Sequence, residues 1–269
     1  MHSVEPSIQR IAMLVLFSAT LLATGTRAAA QQESVLFSFA GDLKSATGPL
    51  AGVILDASGN PYGTTDGGGN GTGTVFELTP SAGGGWTEKT LYSFGVSGSG
   101  DGNYPAAGLV FDAAGNLYGT TADGGSGCVS PGCGTVFELT PTAGGSWTEK
   151  ILYSFQANGK DGNLPQSGLV LDAKGNLYGT TPLGGTSNVG SVYELTPMAD
   201  GRWKEKILHS FDSNTGGRNP SASLIFDAAG NLYGTTSGNG IFQGTVFKLT
   251  PTARGGWKQK VLQVFGGNG

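Results

Sequence analysis

The sequence has few charged residues and is poor in both cysteine and histidine, with two of each among 269 residues. Charged residues make up 13% of the chain, well below the usual value of about a quarter, and the formal net charge is −4. An acidic chain without a run of Lys or Arg lacks the electrostatic footprint of a nucleic-acid-binding protein. Zinc sites need several Cys or His ligands, and this small number of both residues disfavours a zinc site. The composition predicts no nucleic-acid partner, no metal and no cofactor.

Long hydrophobic runs are also scarce, and the longest lies in the first 30 residues. Arg10 precedes an apolar stretch over residues 11–23, which is too short to span a bilayer, and three alanines ending at Ala30 supply small residues for a cleavage site. These features predict a secretory signal peptide over residues 1–30, with a membrane anchor retained uncut as the alternative. We therefore expect a secreted, extracytoplasmic protein whose mature part, residues 31–269, is a single domain without a membrane span.

Glycine, in contrast, is abundant, with 49 residues, and many of them belong to one recurring motif. The motif reads Asp-Ala-x-Gly-Asn-x-Tyr-Gly-Thr-Thr, and each copy follows a short apolar run that is typical of a buried strand. An Asp carboxylate accepts hydrogen bonds from nearby backbone N–H groups, and Gly tolerates positive φ, so the motif predicts a β-hairpin with a turn-capping Asp. A cation-binding Asp is the alternative. The copies begin at Asp56, Asp112, Asp172 and Asp227.

Each motif belongs to a larger unit with four strand-like segments. The third segment reads Gly-Thr-Val-Phe-Glu-Leu-Thr-Pro with small variations, and the fourth begins at a tryptophan and ends at a phenylalanine, as in Trp147–Phe155. Four strands in a period of ~55 residues predict an all-β fold of the β-propeller type, with one blade for each unit. The units are approximately residues 49–94, 105–155, 165–211 and 220–265.

The charges and the chain ends add two expectations. Pairs such as Glu149-Lys150 in the fourth segment are typical of an outer edge strand, which would place the apolar first strand innermost. Residues 35–39, Val-Leu-Phe-Ser-Phe, match the end of a fourth segment and predict one extra N-terminal strand. Either four blades close with a spare strand, or the chain forms part of a larger ring. An incomplete ring would expose blade faces and favour self-association through the terminal blades.

The consensus unit supports a family resemblance. The pattern P-x-x-G-L-V-x-D-A-x-G-N-L-Y-G-T-T, followed by G-T-V-F-E-L-T-P and G-G-x-W-T-E-K-x-L-Y-S-F, resembles the GloVer tandem repeat of choice-of-anchor secreted bacterial proteins. It reads clearly at Pro105–Phe155 and Pro165–Phe211, and the resemblance extends over residues 35–265. The resemblance implies a bacterial extracytoplasmic protein with a propeller-like fold. It implies no activity and no functional residues.

Two features of the loops are candidates for sites. Cys128 and Cys133 lie in one Gly-, Ser- and Pro-rich insertion of the second unit, which predicts a local disulfide in an exported chain. The segment before the apolar strand holds a carboxylate and an amide in two units, and these would lie on one face near the ring axis, where they could bind a cation or a sugar. Polar turn residues are the alternative. The residues, with the corresponding ones of the last unit, are Asp101, Asn103, Asp161, Asn163, Arg218 and Asn219.

The near-equality of the units favours a non-enzymatic extracellular binding or scaffold protein whose ligand, a glycan or a protein, the sequence does not identify. No catalytic residue is assigned, because an active site needs an asymmetric set of differentiated groups. Two alternatives remain. One is a polysaccharide hydrolase or lyase that uses Asp101 and Asp161 as paired carboxylates. The other is a surface or matrix protein that associates with itself.

Overall fold

The computed structural model describes residues 33–39, 46–95, 100–212, 217–238 and 244–266. The chain divides into two units, Met1–Leu36 and Phe37–Gly269. Of the first unit, the described residues 33–36 form neither helix nor strand. The signal peptide expected over residues 1–30 lies outside the described residues and stays a prediction. No helix in the described ranges is long and apolar enough to cross a membrane.

The second unit is all-β in its described residues and contains four antiparallel sheets of four strands, one for each repeat. Sheet 1 consists of Ile54–Leu55, Pro61–Thr65, Thr74–Pro80 and Trp86–Ser93. Sheet 2 consists of Val110–Phe111, Leu117–Thr121, Thr135–Pro141 and Trp147–Ser154. Sheet 3 consists of Val170–Leu171, Leu177–Thr181, Ser191–Pro197 and Trp203–Ser210. Sheet 4 consists of Ile225–Phe226, Leu232–Thr236, Thr245–Pro251 and Trp257–Val264. The strands follow chain order in every sheet, which confirms the all-β prediction.

Two short ribbons lie beside these sheets. Gly102–Asn103 pairs with Asp123–Gly124, and Gly162–Asn163 pairs with Leu183–Gly184, both antiparallel. Each ribbon joins the segment before a sheet to the loop between its second and third strands. The segments that hold the predicted ligand residues are therefore fixed to the sheets by backbone hydrogen bonds.

The first strand of each sheet is shorter and less buried than the apolar runs predict. In sheet 2 it comprises only Val110–Phe111, both half-buried, whereas the second strand, Leu117–Thr121, is buried along its whole length. The prediction of a first strand buried on both faces is therefore wrong. The first strand is an edge strand, which solvent reaches from the side, while the second strand has a hydrogen-bonded neighbour on either side.

The motif Asp caps the hairpin turn, as predicted. Asp112 Oδ1 accepts hydrogen bonds from the backbone N–H groups of Ala114 and Asn116, each at 2.9 Å, and Oδ2 accepts from Asn116 Nδ2 at 2.8 Å and from the Tyr118 hydroxyl at 3.1 Å. Gly115 has a φ of 86°, which an L side chain rarely adopts. Partial burial acts to raise the pKa of Asp112, but the hydrogen bonds from Asn116 and Tyr118 outweigh it and hold the pKa below its usual value.

The rest of the motif packs the hairpin against its own sheet and the next one. A Cβ on Gly119 would lie 2.5 Å from Cζ of Phe137, so only glycine leaves room for this ring. The Thr120 hydroxyl donates to the carbonyl of Ser167 in the next repeat, at 3.1 Å, and Thr64 and Thr180 make the equivalent bond. The Gly-Thr-Thr sequence is thus explained by contacts on both sides of the strand.

Aromatic rings and lysines connect each sheet to the next. The phenylalanine after each fourth strand packs edge-on against a ring of the following third strand, and the pairs are Phe94–Phe137 and Phe155–Tyr193 at 5.0 Å and Phe211–Phe247 at 5.1 Å. Lys89 Nζ donates to the Gly145 carbonyl in the next repeat at 2.6 Å. The equivalent bonds are Lys150 to Gly201 at 2.9 Å and Lys206 to Gly255 at 2.7 Å. The recurring aromatic residues therefore serve packing between repeats.

The extra N-terminal strand is absent: residues 33–39 form no strand. Phe39 nevertheless packs edge-on against Phe76 of sheet 1, with ring centroids 5.0 Å apart, in the place that Phe94 takes against sheet 2. A strand needs a neighbour for its backbone hydrogen bonds, and the third strand that normally pairs with such a segment has no counterpart before sheet 1 among the described residues. The aromatic contact alone is preserved.

Candidate functional site

Two polar clefts of similar size occupy equivalent positions in the second and third repeats. The first, called here the Asp101 cleft, has a volume of about 310 Å³ and the second, the Asp161 cleft, about 330 Å³. The Asp101 cleft is lined by Asp101, Asn103, Gly124, Gly125, Cys128, Ser130, Pro131 and Gly132. The Asp161 cleft is lined by Gln156, Ala157, Gly159, Asp161, Asn163, Gly184, Gly185, Thr186 and Asn188. Four of the predicted ligand residues therefore lie in clefts.

The carboxylates of these clefts are engaged in the protein itself. Asp161 Oδ2 accepts hydrogen bonds from the Tyr153 hydroxyl at 2.8 Å and from the Gln156 N–H at 2.9 Å, and Oδ1 accepts from the Gly162 N–H at 2.7 Å. Burial raises the pKa of Asp161, and these hydrogen bonds act against the increase. Asp101 accepts likewise from the Tyr92 hydroxyl at 3.2 Å. Both carboxylates thus fix the loops that form the clefts.

One amide of the Asp161 cleft has an oxygen that the protein leaves unpaired. Asn163 Oδ1 is buried and has no hydrogen-bond partner in the described structure, although its residue lines the Asp161 cleft. Asn188 is held in place because its Oδ1 accepts from the Gly184 N–H at 3.0 Å. An unpaired buried amide oxygen is costly unless a donor reaches it. Asn163 therefore keeps an unused acceptor position beside the Asp161 cleft.

A left-handed residue follows Asn103 and Asn163 and precedes a proline in both repeats. Tyr104 and Leu164 have φ values of 59° and 57°. The Tyr104 N–H donates to the Thr72 carbonyl of the preceding repeat at 2.8 Å, and its own carbonyl accepts from the Ala122 N–H at 3.0 Å. Such backbone conformations cost about 1–3 kcal/mol and persist where surrounding contacts impose them. The cleft segment is therefore held rigidly between two repeats.

The predicted alignment pairs Arg218 with Gly102 and Asn219 with Asn103, and the structure contradicts it. A Cβ on Gly217 would meet the hydroxyls of Thr236 and Thr245, just as one on Gly102 would meet the equivalent pair of sheet 2. Gly217 therefore matches Gly102, not an Asp, and the predicted alignment of the last repeat is wrong by one residue.

The corrected alignment places Arg218 opposite Asn103 and Asn219 opposite Tyr104. In agreement with it, Asn219 has a left-handed φ of 54°, and its Nδ2 donates to the Pro182 carbonyl at 3.1 Å. Matching Asn219 to Asn103 put the predicted alignment one residue off, whereas the proline that follows each left-handed residue marks the true register. The carboxylate–amide pair belongs to the second and third repeats.

The fourth strands of sheets 2 and 3 each carry a partly buried glutamate, Glu149 and Glu205, whose burial the sequence pattern did not indicate. Charges in this strand predict an exposed edge, but Glu205 Oε1 is buried without a partner in the described structure. Burial raises the pKa of Glu205 to about 7, with a smaller contribution from the negative charge of Asp161. Burial and the charge of Asp101 raise the pKa of Glu149 to about 7 in the same way. The alternation of side chains along the strand could have indicated the face of this glutamate, because Glu205 lies on the same face as Trp203.

Glu205 also borders a further cavity, of about 360 Å³, that includes Tyr153 and Trp203. The Tyr193 hydroxyl is fully buried without a partner, and its pKa is raised by burial and by the charges of Glu205 and Asp161. This interface between the second and third repeats therefore concentrates acidic groups and hydroxyls. Among the described residues, no group of three or more His, Cys, Asp or Glu side chains is placed to hold a metal ion.

The predicted disulfide between Cys128 and Cys133 is present, with the two Cα atoms 5.6 Å apart. It closes a loop on the rim of the Asp101 cleft, where the Asp161 cleft has Thr186 and Asn188 instead. The two clefts therefore share their base and differ at their rims.

Comparison with solved structures gives distant likenesses. A protein of unknown function from Dyadobacter fermentans DSM 18053 is 14% identical with a TM-score of 0.48, over 77% of this chain and 67% of that one. A second structure is 12% identical with a TM-score of 0.45, over 81% of this chain and 71% of that one. It comes from work on the GH130 family of mannoside phosphorylases, which contains glycoside hydrolases that target β-1,2 mannosidic linkages in Candida mannan.

No curated protein matches the sequence. The family comparison is specific, in contrast, and agrees with the resemblance seen in the repeat consensus. The model of the Gloeobacter/Verrucomicrobia repeat matches residues 24–216 and 128–269, which together cover all four sheets. The chain belongs to the Gloeobacter/Verrucomicrobia repeat family.

Proposed function

We propose that this chain is a secreted, non-enzymatic binding protein whose repeats form a propeller-like arrangement and present equivalent polar clefts to a repetitive, hydroxyl-rich ligand such as a polysaccharide. The observation that carries the proposal is the duplication of one cleft, with the same Asp, Asn and glycine positions, in successive repeats. A polymer with a repeating unit can occupy such sites together, so modest affinities combine into a higher avidity.

The chemistry of the lining supports a neutral polar ligand. Asp101 and Asp161 are engaged by tyrosine hydroxyls and backbone N–H groups, which leaves the asparagines and the glycine backbone to face a ligand. Amide and backbone groups suit the donors and acceptors of sugar hydroxyls. The Cys128–Cys133 disulfide supports an oxidising compartment, in keeping with the expected signal peptide.

Binding to a panel of soluble polysaccharides by affinity electrophoresis, followed by calorimetry, tests this function. The double variant Asn103→Ala/Asn163→Ala should bind at least about tenfold more weakly than the wild type, because each cleft loses its amide. Asn70→Ala, at an exposed asparagine outside both clefts, is the matched control and should bind normally. Unchanged binding by a folded double variant, or no saturable binding to any polysaccharide, would contradict the proposal.

A polysaccharide hydrolase or lyase is the second candidate, and one observation favours it. Glu205 borders a cavity with Tyr153, lies near Asp161 and has a pKa raised to about 7, which suits a general acid at neutral pH. Asp101 and Asp161 belong to separate clefts, so this candidate rests on Glu205 and not on that pair. Release of reducing ends or unsaturated sugars that disappears in Glu205→Gln would support it, and no release from the panel would rule it out.

A further inference from the structure

The three internal interfaces between sheets share one set of contacts. Phe94, Phe155 and Phe211 are fully buried against the next sheet, and the leucines three positions before them are nearly so. On the other side of each interface, the next repeat contributes an apolar residue of its first segment, such as Leu109, which is 5% exposed. Each interface therefore has a phenylalanine side and a leucine side.

The outer face of sheet 4 is a phenylalanine side without a leucine side. Phe265 is 53% exposed and Leu262 is 44% exposed, although their counterparts in sheets 1 to 3 are buried. Thr235 is exposed as well, whereas Thr120 and its other counterparts donate to a carbonyl of the next repeat. This face, called here the sheet 4 end face, has the residue types of an interface and lacks its partner among the described residues.

Sheet 1 presents the opposite half. Val53 is 51% exposed where Leu109 is buried, and Leu50 and Leu55 beside it are exposed as well. Pro49 holds the place of Pro105, whose ring packs against Gly73 of the preceding repeat. This surface, called here the sheet 1 end face, therefore carries the leucine side of the same interface.

We propose that the sheet 4 end face of one copy docks on the sheet 1 end face of a second copy, head to tail. The internal interfaces supply the argument for this occupant, because each of them joins the same two halves in the same order. Tyr233 would meet Trp86 of the second copy, as Tyr62 meets Trp147 with centroids 6.4 Å apart. Lys260 would donate to the Gly84 carbonyl of that copy, as the lysines of sheets 1 to 3 do.

The segment at Phe39 competes with this docking. Phe39 packs on Phe76, in the place that Phe265 of another copy would take. Residues 35–39 and 261–265 share the pattern Val-Leu-x-x-Phe, so both fit the same position. Docking therefore exchanges one phenylalanine for another on the Phe76 ring. A head-to-tail contact of this kind is heterologous and leads either to a closed ring or to an open filament.

Sedimentation velocity of the full secreted protein across a range of concentrations tests the proposal. We expect the wild type to associate as its concentration rises, and Phe265→Asp and Val53→Asp each to remain monomeric, because a charge on an apolar face opposes docking. Both residues are exposed in the monomer, so the variants should fold. Val129→Asp, at a residue that is 90% exposed in the disulfide loop, is the control and should associate like the wild type.

An equimolar mixture of the two monomeric variants gives the decisive result. The intact sheet 4 end face of Val53→Asp should dock on the intact sheet 1 end face of Phe265→Asp, and association should stop at the dimer.

Phe39→Ala should lower the dissociation constant for self-association several-fold relative to the wild type, because it removes the competitor. A wild type that stays monomeric at all concentrations would overturn head-to-tail docking and indicate closure within one chain. A mixture that stays monomeric would overturn it as well.

Discussion

Sheets 2 and 4 are built from the same motif but differ where they meet a neighbour. In sheet 2, the Tyr118 hydroxyl shares its single proton between Asp112 at 3.1 Å and Glu138 at 2.9 Å. In sheet 4, Tyr233 makes the first bond at 3.0 Å, but Lys248 replaces the glutamate and lies 5.3 Å from the centre of the Tyr233 ring. The turn chemistry is thus the same in both sheets, and the second partner of the tyrosine is set by the third strand of its own sheet. Only the burial of the sheet face depends on the neighbouring repeat.

The largest expected contrast is between the phenylalanines of the two sheets. Phe155→Ala removes a fully buried ring and should lower the free energy of unfolding by about 3–5 kcal/mol. Phe265→Ala, at a half-exposed ring, should cost less than about 1 kcal/mol at concentrations where the protein is monomeric. Urea unfolding of both variants measures this. Equal losses would mean that sheet 4 is covered as fully as sheet 2.

The disulfide loop distinguishes the second repeat from the third. Cys128→Ser/Cys133→Ser should lower the free energy of unfolding by about 2 kcal/mol or less, because the bridge closes a short loop. It should also weaken ligand binding more in an Asn163→Ala background, where the Asp101 cleft acts alone, than in an Asn103→Ala background. Calorimetry with the polysaccharide that binds the wild type decides this, and identical effects in the two backgrounds would mean that the rim does not touch the ligand.

The turn carboxylates should not differ between sheets. Asp112→Ala removes the hydrogen bonds of its turn, so we expect a loss of about 1–2 kcal/mol in urea unfolding. Asp227→Ala removes the equivalent hydrogen bonds and should destabilise the protein likewise. Hydrogen bonds hold the pKa of both carboxylates below the usual value, so their contribution is present above pH 4 and is lost as the pH falls through the lowered pKa. A much smaller loss at Asp227 would show that this turn needs a covered face.

The smallest effect concerns the glutamates of the fourth strands. The folded state raises the pKa of Glu149 and Glu205 to about 7, so it binds more protons than the unfolded state between about pH 4.5 and 7. Their contribution to stability is therefore present below pH 4.5 and is lost as the pH rises through 7. In Glu149→Gln/Glu205→Gln, the decrease in Tm from pH 5 to pH 8 should be smaller than in the wild type, by about 2 °C or less.

Sheet 4 already carries Gln259 at the position of these glutamates, which makes the substitution compatible with the fold. Glu88→Gln, at the same strand position in sheet 1, is the matched control. His209 acts in the opposite direction, because burial lowers its pKa, so the double variant must be compared with the wild type at every pH. An unchanged slope would mean that solvent reaches both glutamates.

Features that depend on a few neighbouring residues could be predicted from the sequence. The cap at Asp112, the strands from Trp147 and the disulfide are set by local turn chemistry, strand pattern and loop closure. Alternation along the fourth strand places Glu205 on the face of Trp203, but the burial of that face could not be predicted, because the preceding repeat covers it only in the fold. The register of Arg218 was within reach of the sequence, because Pro220 marks it, but matching Asn219 to Asn103 placed the alignment one residue off.

The bonds from Thr120 and Lys150 to the next repeat both end on backbone carbonyls. Every amino acid supplies a carbonyl, so the receiving repeat can change its side chains without losing these links. Duplication of the coding segment would therefore yield a repeat that joins its neighbours at once, with no compensating substitutions. Adding or removing a repeat would therefore leave these links intact, provided that the motif that donates the bonds is kept.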